Sequence, residues 1–579
     1  MRDLIKFFSI FTFSQKKEFA FILVIIMIGA VLESIGIGAI LPLISVLGDP
    51  DFLLQHSEFL FVAGKIGIHS HRDFMLAGTV SLIILYFVKN MYIAWEIYIQ
   101  RRTAMKYQIF YSKEIMATYL AKSYSFHLNH NTAQLLRNVN SGAQVIFNNM
   151  FMPICYLVSE LATIVAIWFM LVLVDAFTAI IVVGLMIIVI LLIIRSFRKK
   201  VVRQGSIQNE ASVDYLKWIN QGLGAIKETK ILRRESFFLM RFNEGYRKYA
   251  KALQEYGLLA DLPRVIIEML VVVGLLLLII VKILMGNQST DIIPLLGLLA
   301  MAAFRLMPSA NRIVSCYNTV KNQMPFFNEI YDILLNIKER SIHPVAIIPD
   351  YKEEKLDFNK GLRIQHLSFH YPDGVDKILD DVSFSIPKGT FVGIVGPSGA
   401  GKTTFVDILL GLLPPTCGSI MCDDKNIMTD IRSWQGNLAY VPQDIYLLDC
   451  SIRENIALGV PVDDIDDNLL KRVLEMAELS DFVYSLTDGV DTFVGERGVK
   501  LSGGQRQRIG IARALYQKPE ILILDEATSA LDNETEKAIT ETILKFKGNI
   551  TIIAIAHRVS TLAECDFKLL FENGKVSII

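Results

Sequence analysis

The sequence predicts two fused parts: an all-α domain of six membrane-spanning helices, followed by an α/β domain of the P-loop kind. Three observations predict this. Six apolar stretches long enough to cross a bilayer fall within the first 315 of 579 residues. Near residue 361 the texture changes to short apolar strands alternating with helical patterns and glycine-rich turns. Within that second part a strand, a Gly-x-x-x-x-Gly-Lys-Thr loop and a helix follow one another. Composition agrees: 52% of residues are hydrophobic and 20% charged, with a mean hydropathy of +0.42. Such a chain is not disordered, collagen-like or a small disulfide scaffold. Its 58 basic residues balance 58 acidic ones, so bulk charge indicates no nucleic-acid partner. The six cysteines show no paired metal-ligand spacing, and most fall in the stretch read as cytosolic, where thiols stay reduced.

The spans are predicted near 19–47, 74–98, 150–174, 176–197, 264–286 and 290–312. The third and fourth form one apolar block broken by Asp175, read as a tight turn. Arg2, Lys6, Lys16 and Lys17 precede a first run too long for a secretory signal core. Arg101, Arg102, Lys106, Lys113 and Lys122 follow the second span, and Arg195, Arg198, Lys199, Lys200 and Arg203 follow the fourth. The loop between the first two spans is acidic instead, with Asp49, Asp51, Glu58 and Asp73 against Lys65 and Arg72. This bias places the N-terminus and the stretches 99–149 and 198–263 in the cytoplasm. Both stretches have helical periodicity, which predicts membrane helices continued into the cytosol and joined in pairs by short connectors near 126–133 and 225–231. The apolar outer loop, 52–68, reads either as a short helix in the membrane interface or as a loop packed on the spans. The predicted domains are 1–315, a charged helical linker 316–360, and 361–579.

The chemistry is concentrated in the last part. Phe391–Val395 is a short apolar strand, followed by Gly396, Pro397, Ser398, Gly399, Ala400, Gly401, Lys402 and Thr403, then a helical run over 404–413 that opens with Thr404. The glycines let backbone N–H groups curl around phosphate oxygens, and the helix N-terminus adds partial positive charge. Lys402 supplies a point charge to the outer phosphates, and Thr403 offers a hydroxyl to Mg²⁺. A second apolar strand over 521–524 runs into two carboxylates, Asp525 and Glu526. Asp525 suits a metal ion, held directly or through water, and Glu526 suits the polarisation of an attacking water. Between the two lies Leu501, Ser502, Gly503, Gly504 and Gln505, a Ser-Gly-Gly turn opening a helix and so a further anion cradle. One ATP cannot easily use two such cradles of one domain, which argues for two copies pairing around nucleotide.

In these motifs, nearly all of 361–579 resembles the ATP-binding cassette of ABC transporters, with the motifs in the family's order. The resemblance implies that Tyr371 stacks on adenine and that residues 396–403 are the phosphate loop. Gln443, in Val-Pro-Gln, would sense Mg²⁺ and face the membrane domain. Glu496, Arg497 and Gly498 match the exporter-type loop before the signature, and 501–505 match the signature itself. Asp525 and Glu526 would be the metal-coordinating and catalytic acids, residues 529–532 the dimer-contact loop, and His557 a contact to the γ-phosphate. With both Glu526 and His557 present, two competent sites in a homodimer are implied. Six spans followed by one cassette is the half-transporter order of ABC exporters, in the bacterial inner membrane with ATP and Mg²⁺ as cofactors.

Ionisable residues inside spans are costly and face a cavity or a partner. Glu33, Lys89, Glu96, Glu160, Glu268, Lys282 and Arg305 fall in predicted spans, with Arg264 and Arg312 at span ends. Lys89, Arg264 and Arg305 could line a cavity and hold an anionic headgroup such as a diphosphate. They could equally form structural pairs with carboxylates such as Glu33 or Glu268. The run over 305–312, with Leu262, Pro263 and Arg264, resembles the bacterial flippases of lipid-linked oligosaccharides used in protein N-glycosylation. That resemblance implies a polyprenyl-diphosphate-linked glycan as substrate, a short external helix, and a cavity role for the three cations, with Lys89 departing from the family's arginine. The rival readings are export of another lipid, a drug or a peptide, and an ATP-gated regulator. Intact Glu526 and His557 favour turnover over regulation.

Overall fold

The computed structural model describes residues 2–39, 71–174, 176–284, 289–342, 354–371, 377–526, 533–555 and 564–579. The chain divides into two compact units, Met1–Lys122 with Asn129–Pro349, and Ser123–Leu128 with Asp350–Ile579. Residues 40–70 and Asp175 lie outside the described residues, and with them the outer loop 52–68 and the turn between the third and fourth spans.

The first unit is helical. Its elements are α1 (Arg2–Ser9), α2 (Phe13–Gly38) and α3 (His71–Leu120), then, after α4 (Tyr124–Asn129), α5 (Thr132–Gln144), α6 (Met152–Val174), α7 (Ala176–Gly224), α8 (Ile226–Ile231), α9 (Glu235–Leu284) and α10 (Ser289–Ile342). The predicted spans fall on α2, α3, α6, α7, α9 and α10. Among the described residues, Phe13–Gly36, Met75–Leu120 and Thr132–Phe169 are long and apolar enough to cross a membrane. The helices α3, α7, α9 and α10 are 49 to 54 residues long. At 1.5 Å per residue that is about 75–80 Å, far more than the ~30 Å of a bilayer core, so they continue well past it. The short helices α4 and α8 fall where the connectors are expected. Asn131 caps α5, its side chain accepting from the Ala133 N–H. A π-helical turn, Val145–Phe151, joins α5 to α6. The helix α10 runs unbroken past residue 315 to Ile342, so the stretch read as a linker begins as a continuation of the sixth span.

Two kinds of contact hold this unit. An aromatic cluster packs α1, α2, α3 and the π turn together; Phe11 lies 4.9 Å from Phe19 and 6.1 Å from Phe147, centroid to centroid. Farther along, α7 and α10 meet backbone to backbone: a Cβ on Gly205 would sit 2.0 Å from the Asn322 carbonyl oxygen.

The second unit is α/β. A four-stranded antiparallel sheet runs β2 (Leu379–Pro387), β1 (Gly361–Phe369), β4 (Cys417–Cys422), β5 (Lys425–Asn426). A six-stranded sheet has the order β10 (Lys575–Ile578), β9 (Phe567–Glu572), β3 (Phe391–Val395), β8 (Thr551–Ile555), β7 (Ile521–Asp525), β6 (Leu438–Val441). Its strands are parallel except for β10 at the edge. The strands β3, β7 and β8 are buried almost throughout, as parallel strands covered on both faces must be. One apolar core contains Phe405, Val406, Ile408 and Leu409 of α11 (Lys402–Leu409). The other contains Ile509, Ile511 and Ala512 of a helix named here α12 (Gly503–Tyr516). The helix α11 stops at Leu409, short of the expected 413, because Gly411 and then Pro414 and Pro415 cannot continue it. The cysteines are unpaired, with Cys417 exposed.

Candidate functional site

The central strand β3 delivers the chain to residues 396–403 at its carboxyl end, the place where open α/β sheets bind ligands. Gly396 leaves the strand with φ 148°, and a Cβ there would come 2.3 Å from the Phe571 carbonyl oxygen, so only glycine fits. Gly399 and Gly401 also have positive φ, 81° and 93°, and Gly401 is the N-cap of α11. Lys402 is 9% exposed and its ammonium donates to the carbonyls of Gly396 at 2.9 Å and Pro397 at 2.8 Å. Pro397, Ser398 and Ala400 complete the loop, Thr403 is exposed on the first turn of α11, and Thr404 is buried. The Tyr371 ring packs edge-on to Phe369 at 5.1 Å, and its hydroxyl lies 3.5 Å from Thr404 Oγ1.

Two strands away, β7 ends in Asp525, which is 7% exposed. Burial pushes its carboxyl up; the Tyr440 hydroxyl, donating at 3.2 Å, opposes this, Glu526 reinforces it, and Lys402 opposes it. Glu526 has a φ of 51°, rare for a residue with a Cβ, and its N–H donates to the Ile555 carbonyl at 3.0 Å. The Gln443 amide donates to Glu526 Oε2 at 2.9 Å. Gln443, Asp525 and Glu526 are thus gathered at the carboxyl ends of β6 and β7, and Lys402 of the 396–403 loop lies near enough to act on Asp525. Thr403, Gln443 and Asp525 offer hydroxyl, amide and carboxylate oxygens, a hard-donor set that fits Mg²⁺ completed by phosphate oxygens.

Sequence reading missed two groups here. Asp407, on α11, is pushed up to about 6 by burial and by Asp525. Tyr440 holds Asp525 from β6. Strand alternation ahead of Gln443 and the helical spacing after Lys402 carry both, but no motif marks them.

The Ser502 turn, read from the sequence as the signature, opens α12. Ser502 accepts from the Gln505 N–H at 3.2 Å and Gln505 Oε1 accepts from the Ser502 N–H at 2.8 Å, a capping box. Gly503 and Gly504 follow in the first turn, whose N–H groups have no partner within the helix. Phe391 and Leu524 face the core that holds α12, while Val392 and Ile523, their neighbours on β3 and β7, face the core that holds α11. His557 and residues 529–532 lie outside the described residues.

The candidate cavity cations differ in environment. Lys89 is 7% exposed, its ammonium 4.3 Å from the Tyr86 ring centroid and its stem 3.2 Å from where a Cβ on Gly36 would lie. Arg264 is exposed on α9, next to Pro263. The Arg305 side chain is not among those described. A structural pair forms in the spans among the described residues: buried Glu160 accepts from Arg312 at 2.6 Å and from Ser309 at 2.7 Å. Thr163 also donates to Glu33 at 3.2 Å.

Comparison with known proteins follows this geometry. Residues 379–529 match the protein family described as ABC transporter. The ATP-dependent lipid A-core flippase of Ralstonia nicotianae is 42% identical over 234 residues, 40% of this chain and 39% of that protein. The uncharacterized ABC transporter ATP-binding protein YwjA of Bacillus subtilis is 32% identical over 388 residues, 66% of this chain and 65% of that protein. Across the curated relatives the matched part is 17% to 65% of their own length. A solved bacterial Atm1-family ABC exporter with ATP bound superposes with a TM-score of 0.76 at 23% identity, covering 97% of this chain and 94% of that one.

Proposed function

We propose that this chain, which has the ABC exporter fold of a helical membrane domain fused to a cassette, is one half of a homodimeric, ATP-driven exporter of the bacterial inner membrane, moving a polyprenyl-diphosphate-linked oligosaccharide by alternating access. The observation that carries the ATP-driven part is the convergence of Lys402, Asp525, Glu526 and Gln443 at the ends of β3 and β7. In this reading the 396–403 amides and Lys402 bind the phosphates, and Tyr371 stacks on adenine. Thr403, Gln443 and Asp525 hold Mg²⁺, which neutralises phosphate charge when bound. Glu526 polarises the attacking water, while Gln443 ties its carboxylate to the metal position, and His557 contacts the γ-phosphate. Ser502, Gly503, Gly504 and Gln505 of the second copy close the site from the opposite side. Closure and reopening then shift the membrane helices between inward- and outward-facing states through their different nucleotide affinities.

The lipid-linked glycan is supported by Lys89, a cation kept inside a spanning helix although burial there is costly, with Arg264 and Arg305 as its companions. A second reading, export of another lipid of the lipid A type, is favoured by the likeness to the Ralstonia flippase. The discriminating experiment is ATP-dependent movement of labelled polyprenyl-diphosphate oligosaccharide across reconstituted vesicles. Movement by the wild type and not by Glu526→Gln supports the proposal, and a variant with Lys89, Arg264 and Arg305 all changed to Gln should lose it. No movement of this lipid by a chain that hydrolyses ATP in the same vesicles transfers the proposal to the lipid A class, tested in the same assay.

A further inference from the structure

Within the helical unit, α5, the π turn, α7, α9 and α10 line an open cavity of about 610 Å³. That is the size of a small-molecule site. Its polar lining is dominated by carboxamides: Asn140, Gln144, Asn149, Gln208, Asn322 and Gln323. The cation on its wall, Arg137, is already committed. It bonds Glu329, donates to Asn209 Oδ1 at 2.7 Å and to the Asn209 carbonyl at 2.9 Å, and lies over the Phe326 ring at 5.0 Å. The cavity therefore presents neutral donors and acceptors rather than net charge. Asn322 is 4% exposed; its Nδ2 donates to Gln208 at 3.2 Å, but among the described residues its Oδ1 has no hydrogen-bond partner. A buried acceptor left unpaired is costly, and a small turn of the Asn322 amide toward the cavity would let a ligand hydroxyl relieve it. Tyr215 and Tyr249 add aromatic rings to the lining.

Carboxamides that both donate and accept, beside aromatic faces and without net charge, match sugar rings, whose hydroxyls do both and whose C–H faces are apolar. Depth agrees. Arg264 and Tyr249 lie on the same helix, α9, fifteen residues apart, or about 22 Å along its axis. A diphosphate at the membrane face near Arg264 would leave several sugars hanging to that level. We infer that this carboxamide-lined cavity binds the uncharged glycan of the transported lipid on the cytoplasmic side, before translocation. The inference rests on the lipid-linked-glycan reading above.

The test compares two probes on the full-length chain in nanodiscs: undecaprenyl diphosphate bearing tri-N-acetylchitotriose, and bare undecaprenyl diphosphate. The readout is the lipid concentration giving half-maximal stimulation of ATP hydrolysis. The wild type should respond to the glycan-bearing lipid at about tenfold lower concentration than to the bare lipid, as a few hydrogen bonds would give. Asn140→Leu with Gln208→Leu should bring the two values within about twofold by raising the first alone. Should that pair lower the thermal unfolding temperature, Ser141→Phe, which fills the cavity from its rim, takes its place with the same expectation. Variants that keep the wild-type ratio overturn the inference. A wild type that responds equally to both lipids overturns it while leaving a diphosphate lipid as substrate. A wild type that responds to neither removes the lipid-linked reading and the inference with it.

Discussion

At the scale of single residues, two carboxylates show opposite uses of environment. Glu526 sits in left-handed backbone geometry, pinned by its N–H to Ile555 and by Gln443 at its carboxylate. That aims one acid beside Asp525 without freedom to swing away. Glu526→Gln keeps the shape and the hydrogen-bonding reach but not the base. It should still bind ATP, measured by nucleotide binding, while hydrolysis falls roughly 10²- to 10³-fold; near-wild-type turnover would take Glu526 out of the reaction. Glu329 is structural. Burial opposes its ionisation, but hydrogen bonds from Asn209, Gln134 and Arg137 outweigh this and hold its carboxyl below the ordinary 4.5. A folded pKa below the unfolded one means stability that is complete above 4.5 and lost as pH falls through the lower folded value. Glu329→Gln should therefore cost about 2–3 kcal/mol in thermal unfolding at pH 7, where it strands Arg137, and much less at pH values below the folded pKa. An equal cost at both pH values would show that the charge contributes nothing. The sequence announces Glu526 through its strand and its neighbour Asp525. It gives no sign of Glu329, whose partners Arg137 and Asn209 are far away in the chain and meet it only through helix packing.

At the scale of elements, α10 carries Asn311, Asn318, Asn322 and Glu329 at intervals of seven, four and seven, one helical face. Asn318 donates to the Leu259 carbonyl on α9, Asn322 to Gln208 on α7, and Glu329 accepts from Asn209 on α7. The seam between these helices is polar along its cytoplasmic half. Gly205 lets the two backbones touch there. Gly205→Val should force them apart and destabilise the protein by about 3 kcal/mol, read by thermal unfolding; a silent substitution would mean the seam yields freely. Elements of this kind mark what the sequence made readable. Hydrophobic runs place the helices α2, α3, α6, α7, α9 and α10, and helical periodicity places the breaks near which α4 and α8 fall, because each signal is local to its own segment. Strands β3 and β7 are equally local, as unbroken apolar runs ended by glycine or carboxylate. The π turn over 145–151, the unbroken run of α10 to Ile342 and the seam itself depend on contacts with distant helices, and no local pattern encodes them.

At the scale of the whole molecule, the proposed function gives the cassette two anion-binding turns, and one nucleotide cannot share them within a chain. The phosphate loop opens α11, and the Ser502 turn opens α12. These helices pack in different apolar cores, which divide between them the two faces of the six-stranded sheet. A nucleotide at the first turn is therefore on the wrong side of the sheet for the second. A partner copy facing the other way removes the difficulty for both sites at once, and an isologous twofold is the simplest arrangement that does so. The prediction is specific about which chain supplies which residue. In a background with all six cysteines replaced and Glu526→Gln in place, one chain carries Ser398→Cys and the other Ser502→Cys. Mixed and oxidised with ATP and Mg²⁺, they should form a disulfide between chains, seen as a dimer band on a nonreducing gel, and far less without nucleotide. A chain carrying both cysteines should give the same interchain product rather than an internal bridge. ATP-independent crosslinking, or none in chains shown to bind ATP, would mean that the Ser502 turn serves some other contact, and the homodimer would lose its physical reason.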